Sequence, residues 1–306
     1  MEHMVRALPD RKSILSLIRL KNLIIGSATV LTGSYVTMDS GWNNDLVFNV
    51  ILQMISVASF MAAGNILNDI MDIEIDKISH PLRSLPSGNI SIKQAWIFMA
   101  IFSLISIFSA VIGVFILKNL GLNWIPLAII WFLACSLMIS YEVGPTTKKY
   151  GYLGNIIIGS MLGLVIIYGA AAVGDYSNIV TLCVAIMATL MGISREIVKD
   201  VHDIEGDIKW GRKTIPILLG AQTSRNIAYI IVMLSIVTIM LPFMMNLGDL
   251  EYWMILFMLP TIVILIGLNG PMRTGDDKKA ISTLLMSMVL GLIGFFLLNL
   301  MLPYIS

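Results

Sequence analysis

Charged residues are scarce in this sequence. Only 13% of the chain is Asp, Glu, Lys or Arg, while 57% is hydrophobic and the mean hydropathy is +0.87. A soluble domain carries roughly a quarter charged residues, so this composition excludes an ordinary soluble domain. The formal net charge is only +1, and no part of the sequence suggests nucleic-acid binding.

Cysteine is also scarce, because Cys135 and Cys183 are the only two. Each lies inside an apolar run, so we interpret both as packing residues, and they say little about redox compartment. The N-terminus lacks a convincing small-residue cleavage site, and its first apolar stretch is followed by many others. We therefore expect no cleavable signal peptide.

What the chain has instead is a series of long segments without charge. Most reach the roughly 20 residues that a helix needs to cross the hydrocarbon core, and only helices can span lipid at these lengths. Arg19 and Lys21 can extend to the interface, so the first helix can start near Ile14. We predict an all-α bundle of nine transmembrane helices. The segments are residues 22–38, 46–68, 94–117, 119–141, 150–174, 176–194, 226–248, 252–272 and 280–306.

The positions of the basic residues predict the topology. With nine helices and a cytoplasmic N-terminus, all but one of the 20 Lys and Arg residues fall on the cytoplasmic side, and Lys118 is the exception. This is a strong positive-inside signal. It predicts a multi-pass protein of the cell membrane, with residues 1–306 in one domain. Two long cytoplasmic loops are expected at about 69–93 and 195–225.

Both loops begin with the same acidic spacing, D-x-x-D-x-x-x-D. These positions fall on one side of a helix, so each triplet is expected to line one helix face. The repeated order of apolar helix, acidic triplet, basic residues and turn suggests an internal duplication. The residues are Asp69, Asp72 and Asp76 in the first triplet and Asp200, Asp203 and Asp207 in the second.

Two carboxylate clusters at one membrane face repel each other unless a cation lies between them. Mg²⁺ commonly binds through one or two carboxylates while substrate phosphates supply the other oxygens. Basic residues at the rim could neutralise the remaining phosphate oxygens. An apolar bundle could hold a long hydrocarbon chain and keep water from a carbocation. The sequence therefore predicts Mg²⁺ and a substrate that joins a diphosphate to an apolar chain.

The first triplet also carries a family resemblance. Residues 68–88, NDIMDIEIDKISHPLRSLPSG, resemble the first signature of the UbiA superfamily of membrane prenyltransferases, N-x-x-x-D-x-x-x-D followed by a P-S-G turn. The second signature, D-x-x-x-D, falls on Asp203 and Asp207. The resemblance covers nearly the whole chain. It implies a fold of nine helices, a Mg²⁺ cofactor and transfer of a prenyl group from an allylic diphosphate.

Residues 195–220 are most similar to one archaeal branch of that family, the geranylgeranylglyceryl phosphate geranylgeranyltransferases. This similarity implies transfer of geranylgeranyl from geranylgeranyl diphosphate to the sn-2 hydroxyl of geranylgeranylglyceryl phosphate, the second ether bond of archaeal membrane lipids. Two positions depart from the pattern. Ser84 stands where Pro is frequent, and His202 interrupts the second acidic run.

The resemblance also implies roles for individual residues. Asn68, Asp72, Asp76, Asp203 and Asp207 are the expected catalytic residues. The four aspartates among them would bind Mg²⁺ and diphosphate, with Asp69 and Asp200 either as further ligands or in supporting roles. Asn68 could contact the diphosphate or a metal. The candidate substrate-binding residues are Arg19, Asn22, Arg83, Tyr141, Lys148, Arg195 and Lys199. Lys148, Arg195 and Lys199 remain equal candidates for the acceptor phosphate.

The expected partners are a prenyl diphosphate donor, a lipid acceptor and membrane lipids. Three alternatives stay open at this point. The acceptor could be an aromatic quinone precursor or a tetrapyrrole; the acidic pairs could couple ions in a transporter; or the chain could be a lipid-binding scaffold without catalysis. Donor chain length and oligomeric state are not predicted.

Overall fold

The computed structural model describes residues 10–38, 41–143, 147–247 and 250–305, and the side chains of Ser79 and residues 302–305 are not described. These residues form helices and no β-strand, which confirms the all-α prediction. Short 3₁₀ segments lie at Thr147–Lys149 and Tyr252–Met258. The helices are α1 (Arg11–Leu17), α2 (Leu20–Thr37), α3 (Asn44–Met71), α4 (Ile73–Ser79), α5 (Ile92–Asn119), α6 (Ile125–Glu142), α7 (Gly151–Ala171), α8 (Ile179–His202), α9 (Ile204–Lys209), α10 (Ile215–Leu219), α11 (Ala221–Met244), α12 (Leu259–Gly267), α13 (Asn269–Thr274) and α14 (Asp277–Ile305).

Eight stretches of the described chain are long and apolar enough to cross a membrane. They are α3, α5, α6, α7, α8, α11, residues 252–274 and α14. A ninth span is possible if α1 and α2, which meet at an angle of 54°, are counted together. The structure therefore has eight or nine candidate spans.

The first apolar segment was predicted as one helix from near Ile14, and this is wrong. The helix is interrupted at Arg19, whose φ of 56° is left-handed. Leu17 and Ile18 are buried in a cluster with Ile66 and Ile70 of α3, so α1 packs across α3. The hydropathy of these residues predicts that they are buried. It does not predict that the helix must bend at Arg19 to bury them.

The two acidic triplets share a second unpredicted feature. Each is interrupted at its middle aspartate, where Asp72 has φ −94° and ψ 9° and Asp203 has φ −98° and ψ 9°. The expectation that each triplet lies on one continuous helix is therefore wrong. The predicted loop starts at 69 and 195 are also wrong, because α3 continues to Met71 and α8 to His202. The matching interruptions agree with the duplication inferred from the spacing.

Helices α2 and α7 approach each other closely at positions where each carries glycine. An added Cβ on Gly33 of α2 would lie 2.2 Å from the carbonyl oxygen of Ile166 in α7. An added Cβ on Gly169 of α7 would lie 2.2 Å from the carbonyl oxygen of Val30 in α2. Small residues at such crossings let membrane helices approach closely. This packing holds α2 against α7.

Candidate active site

A cavity of about 560 Å³ lies between α2, α3, α6, α7, α8 and α14. Its charged residues are concentrated at one end, which we call the mouth. The walls below the mouth are mainly Met, Leu, Ile and Val. Asn68 at the mouth and Ser56 at the far end are roughly 18 Å apart along α3, at the helical rise per residue. The mouth residues are Arg19, Asn22, Asn68, Arg83, Glu142, Arg195, Glu196 and Lys199.

Aspartates of the first acidic segment, residues 69–76, are each paired with a cation. The Arg19 guanidinium donates to Asp69 at 2.6 Å, and the Arg83 guanidinium donates to both oxygens of Asp76 at 2.6 and 2.8 Å. The ammonium of Lys148 contacts Asp72. Asp69 and Asp76 are only 4% and 3% exposed, so their charges need these partners.

Glu142 is a member of this mouth that the sequence analysis missed. It is buried, accepts a hydrogen bond from Asn68 Nδ2 at 2.7 Å, and lies 3.3 Å from Lys148 Nζ. Arg19 donates to Asn68 Oδ1 at 3.3 Å, so the amide of Asn68 is oriented from both sides. The available signal was an acid at the end of an apolar run, a position that by itself indicates only a helix boundary.

The second acidic segment, residues 200–207, is less completely neutralised. Asn155 of α7 donates to Asp200 at 2.9 Å, a partner that its place in an apolar run did not reveal. Arg212 donates to Asp207 Oδ1 at 3.2 Å, while Asp207 Oδ2 is buried and has no hydrogen-bond partner in the described part of the chain. Burial raises the pKa of Asp207, and the Arg212 charge opposes that rise. The side chain of Asp203 is exposed.

Two observations place the surroundings of the two acidic segments near one another. The connection between α6 and α7 reaches both: Lys148 contacts Asp72 of the first segment, while the backbone of Lys149 and Gly151 bonds at 3.0 Å each to Lys213, which follows the second segment. Residues that flank the two segments, Asn68 and Lys199, also line one cavity.

The predicted substrate-binding residues fall into two groups. Six line the cavity: Arg19, Asn22, Arg83, Tyr141, Arg195 and Lys199. Lys148 instead lies behind the mouth with its ammonium between Asp72 and Glu142. Arg195 and Lys199 both contact Glu196, at 3.1 and 3.2 Å.

The oxygen atoms near the mouth are of the chemical kind that binds Mg²⁺. They are carboxylate and amide oxygens, and one carboxylate oxygen of Asp207 is buried and unpartnered. Among the residues that the structure describes, no three acidic, His or Cys side chains are close enough to enclose a metal by themselves. A Mg²⁺ ion that binds one or two carboxylates and takes its other ligands from phosphate does not need such a group.

Comparison with known proteins places the chain in a family. Residues 27–300 match the UbiA prenyltransferase family. The digeranylgeranylglyceryl phosphate synthase of Methanococcus maripaludis is 32% identical over 89% of this chain and 91% of that protein. The synthase of the same name from Methanobrevibacter smithii is 33% identical over 76% of this chain and 79% of that protein.

Solved structures agree with this placement. A structure described as giving insights into digeranylgeranylglyceryl phosphate synthase in membranes superposes with a TM-score of 0.72 at 28% identity, covering 94% of this chain and 98% of that one. A UbiA homologue from Archaeoglobus fulgidus, bound to GPP and Mg²⁺, has the same fold with a TM-score of 0.69 at 18% identity, over 94% and 99%. The chain therefore belongs to the UbiA prenyltransferase family and is a multi-pass membrane enzyme that transfers prenyl groups.

Proposed function

We propose that this enzyme transfers a geranylgeranyl group from geranylgeranyl diphosphate to the sn-2 hydroxyl of geranylgeranylglyceryl phosphate. The observation that carries the proposal is one apolar cavity with a charged mouth, which is lined by residues that flank both acidic segments, Asn68 beside the first and Lys199 beside the second. Such a cavity accommodates a diphosphate at the mouth and a hydrocarbon chain below it. Relatives named digeranylgeranylglyceryl phosphate synthase, similar over most of the chain, support this donor and acceptor.

The proposed metal ligands are Asp72 and Asp76 from the first acidic segment and Asp203 and Asp207 from the second. When bound, Mg²⁺ supplies positive charge that stabilises the departing diphosphate. Asp69 and Asp200 support the site from the buried side, through Arg19 and Asn155. The unpartnered Oδ2 of Asp207 is a donor atom available to this role.

The basic residues at the mouth have a second proposed task. Arg19, Arg83 and Lys148 neutralise carboxylates in this structure. Arg19 and Arg83 line the cavity and can donate to phosphate oxygens, Arg83 because Asp76 would share its charge with a bound metal ion. Arg195 and Lys199 lie at the mouth on α8 and are left for the acceptor phosphate, whereas Lys148 is held between Asp72 and Glu142.

The reaction then needs little proton chemistry from the protein. The bond between the allylic carbon and the diphosphate oxygen breaks, and its electron pair leaves with the diphosphate. The oxygen of the acceptor hydroxyl attacks the allylic cation, and after the new bond has formed its proton passes to the released diphosphate. The apolar walls, which include Phe60, Met138 and Leu162, keep water from the cation.

The proposed topology has nine spans in a single domain, residues 1–306, with the N-terminus in the cytoplasm. The mouth then opens to the cytoplasm and the C-terminus lies outside the cell membrane. The distribution of Lys and Arg supports this orientation, since only Lys118 falls on the other side. In this topology the first span is α1 and α2 counted together, with a bend at Arg19 where α1 packs against α3.

Product analysis tests the function directly. Purified protein with Mg²⁺, geranylgeranyl diphosphate and geranylgeranylglyceryl phosphate is expected to give the doubly alkylated lipid by mass spectrometry, and EDTA should abolish it. Parallel reactions with an aromatic quinone precursor and a tetrapyrrole test the other acceptors. Ion flux without release of diphosphate would show a transporter instead.

A further inference from the structure

A hydrogen-bonded group of polar side chains closes the far end of the cavity. Tyr168 of α7 is 3% exposed, lines the cavity, and donates from its hydroxyl to Gln53 Oε1 at 2.6 Å. Gln53 donates in turn to Asn49 Oδ1 at 2.8 Å, and Asn49 donates to the Ala172 carbonyl at 2.7 Å. The ring of Tyr168 is therefore tied to two other helix positions through a chain of buried bonds.

A second aromatic side chain is held beside it. Trp131 of α6 lines the cavity and donates from its indole nitrogen to Ser106 Oγ of α5 at 3.1 Å. Ser56 of α3 donates to the Ser106 carbonyl at 3.0 Å and also lines the cavity. We call Ser56, Trp131 and Tyr168 the floor.

The side chains that hold Tyr168 in place are themselves tightly packed. An added Cβ on Gly113 of α5 would lie 2.0 Å from Gln53 Nε2 and 2.5 Å from Asn49 Oδ1. Rotation of Tyr168 or Trp131 would also leave a buried amide or hydroxyl without its partner, which is costly away from water. The floor is consequently a stiff surface.

Other parts of the cavity lining consist of flexible side chains. They include Met161, Met187, Met191 and Met288, whose unbranched side chains adapt to irregular shapes. One cavity thus combines adaptable walls with a stiff end. This combination suits the measurement of chain length, because the walls can follow the bends of a hydrocarbon while the end cannot yield.

We propose that Tyr168 and Trp131 set the upper limit on the length of the donor prenyl chain. This inference depends on the proposed prenyl transfer, in which the diphosphate lies at the mouth and the chain runs toward the floor. A donor longer by one isoprene unit has to displace Tyr168 or Trp131 and break the bond to Gln53 or Ser106. A shorter donor leaves the end of the cavity unfilled.

The test is a competition among donors. Purified protein receives equal amounts of farnesyl, geranylgeranyl and farnesylgeranyl diphosphates with the acceptor and Mg²⁺, and products are counted by mass spectrometry. Tyr168→Ala and Trp131→Ala should each raise the ratio of farnesylgeranyl to geranylgeranyl product by at least about tenfold, since even one methylene in an apolar pocket is discriminated to that extent. Tyr168→Phe keeps the ring and should change the ratio far less.

A variant that is expected to shorten the preferred donor chain distinguishes a change in the cavity from misfolding. Val165 lines the cavity one turn from Tyr168, and Val165→Phe should shift product toward the farnesyl chain. Phe243→Ala is a matched control, because Phe243 is fully buried and outside the cavity lining. It should lower thermal stability without changing the product ratio.

The outcomes separate this inference from the function on which it depends. No product from the unsubstituted protein with any donor would refute prenyl transfer to this acceptor. Product from the unsubstituted protein, with ratios unchanged in Tyr168→Ala, Trp131→Ala and Val165→Phe, would overturn the length limit alone. A shift in Phe243→Ala equal to that in Tyr168→Ala would also overturn it, because general loosening would then explain the effect.

Discussion

The first acidic segment, residues 69–76, and the second, residues 200–207, have the same spacing of aspartates and the same interruption at the middle one. They differ in how their charge is balanced. In the first, Asp69, Asp72 and Asp76 each face a cation from a different part of the chain. In the second, Asp207 alone has a cationic partner among the residues that the structure describes.

The two segments therefore share a backbone conformation but differ in the number of their carboxylates that are already paired with cations. The first segment is locked in place by ion pairs before any substrate arrives. The second retains an exposed carboxylate and an unpartnered buried oxygen, so it has more to gain from a bound cation. We expect the first segment to be the more sensitive to loss of its basic partners.

The largest expected effect is loss of the carboxylates themselves. Asp72→Asn and Asp203→Asn should each lower the rate of diphosphate release at least about a hundredfold, the scale on which loss of one electrostatic stabiliser of a transition state is felt. Asp45→Asn, in the first turn of α3 and far from the mouth, is the control. Full activity in either mouth variant would show that the segments do not hold the metal.

Next in size is the effect of an unpaired buried charge on stability. Arg19→Ala leaves Asp69, whose side chain is 6% exposed, without its cation. We expect a loss of about 1–2 kcal/mol in stability, reduced from a fully buried pair because Arg19 is partly exposed. Thermal melting in detergent measures it. Lys77→Ala removes the exposed pair with Glu74 and should leave the melting temperature unchanged.

The two arginines beside the segments allow a direct comparison. Arg83 lines the cavity and donates to both oxygens of Asp76, whereas Arg212 donates to one oxygen of Asp207 and does not line the cavity. Arg83→Ala should raise the KM for the prenyl diphosphate about tenfold, and Arg212→Ala about two- to threefold. Equal effects from both would remove the distinction between the segments.

A smaller effect than that of Arg83→Ala concerns Glu142. Glu142→Gln can still accept from Asn68, but Lys148 then shares its charge with Asp72 alone. The mouth becomes more positive, so the Mg²⁺ concentration for half-maximal activity should rise about fivefold, the worth of one nearby charge at high dielectric. Glu74→Gln, an exposed acid of α4, is the matched control. An unchanged Mg²⁺ requirement would make Glu142 a packing residue.

Much of this architecture could be read from local patterns. Runs without charge located the eight or nine candidate spans, because a segment in lipid must be apolar along its own length. The spacing of the aspartates located both acidic segments. Glu142 and Asn155 were missed, since a single polar residue in or beside an apolar run looks the same whether it faces a partner or a helix end.

The interruptions at Arg19, Asp72 and Asp203 were missed for a related reason. None of these positions carries Pro or Gly, the residues that announce a break in sequence. At Arg19 the bend agrees with tertiary contacts, namely burial of Leu17 and Ile18 against α3 and pairing of Arg19 with Asp69. Such contacts are invisible to helical periodicity.

The order of residues along the chain is enough to predict a helical membrane bundle, to locate its acidic segments and to indicate its family. Hydropathy, charge and motif spacing are properties of neighbouring residues, so they need no knowledge of the fold. Which cation balances which acid, and where the cavity ends, depend on how the helices pack. Arg19 and Asp69 are 50 positions apart, Lys148 and Asp72 are 76 apart, and Tyr168 and Gln53 are 115 apart, so packing of the helices alone brings them together.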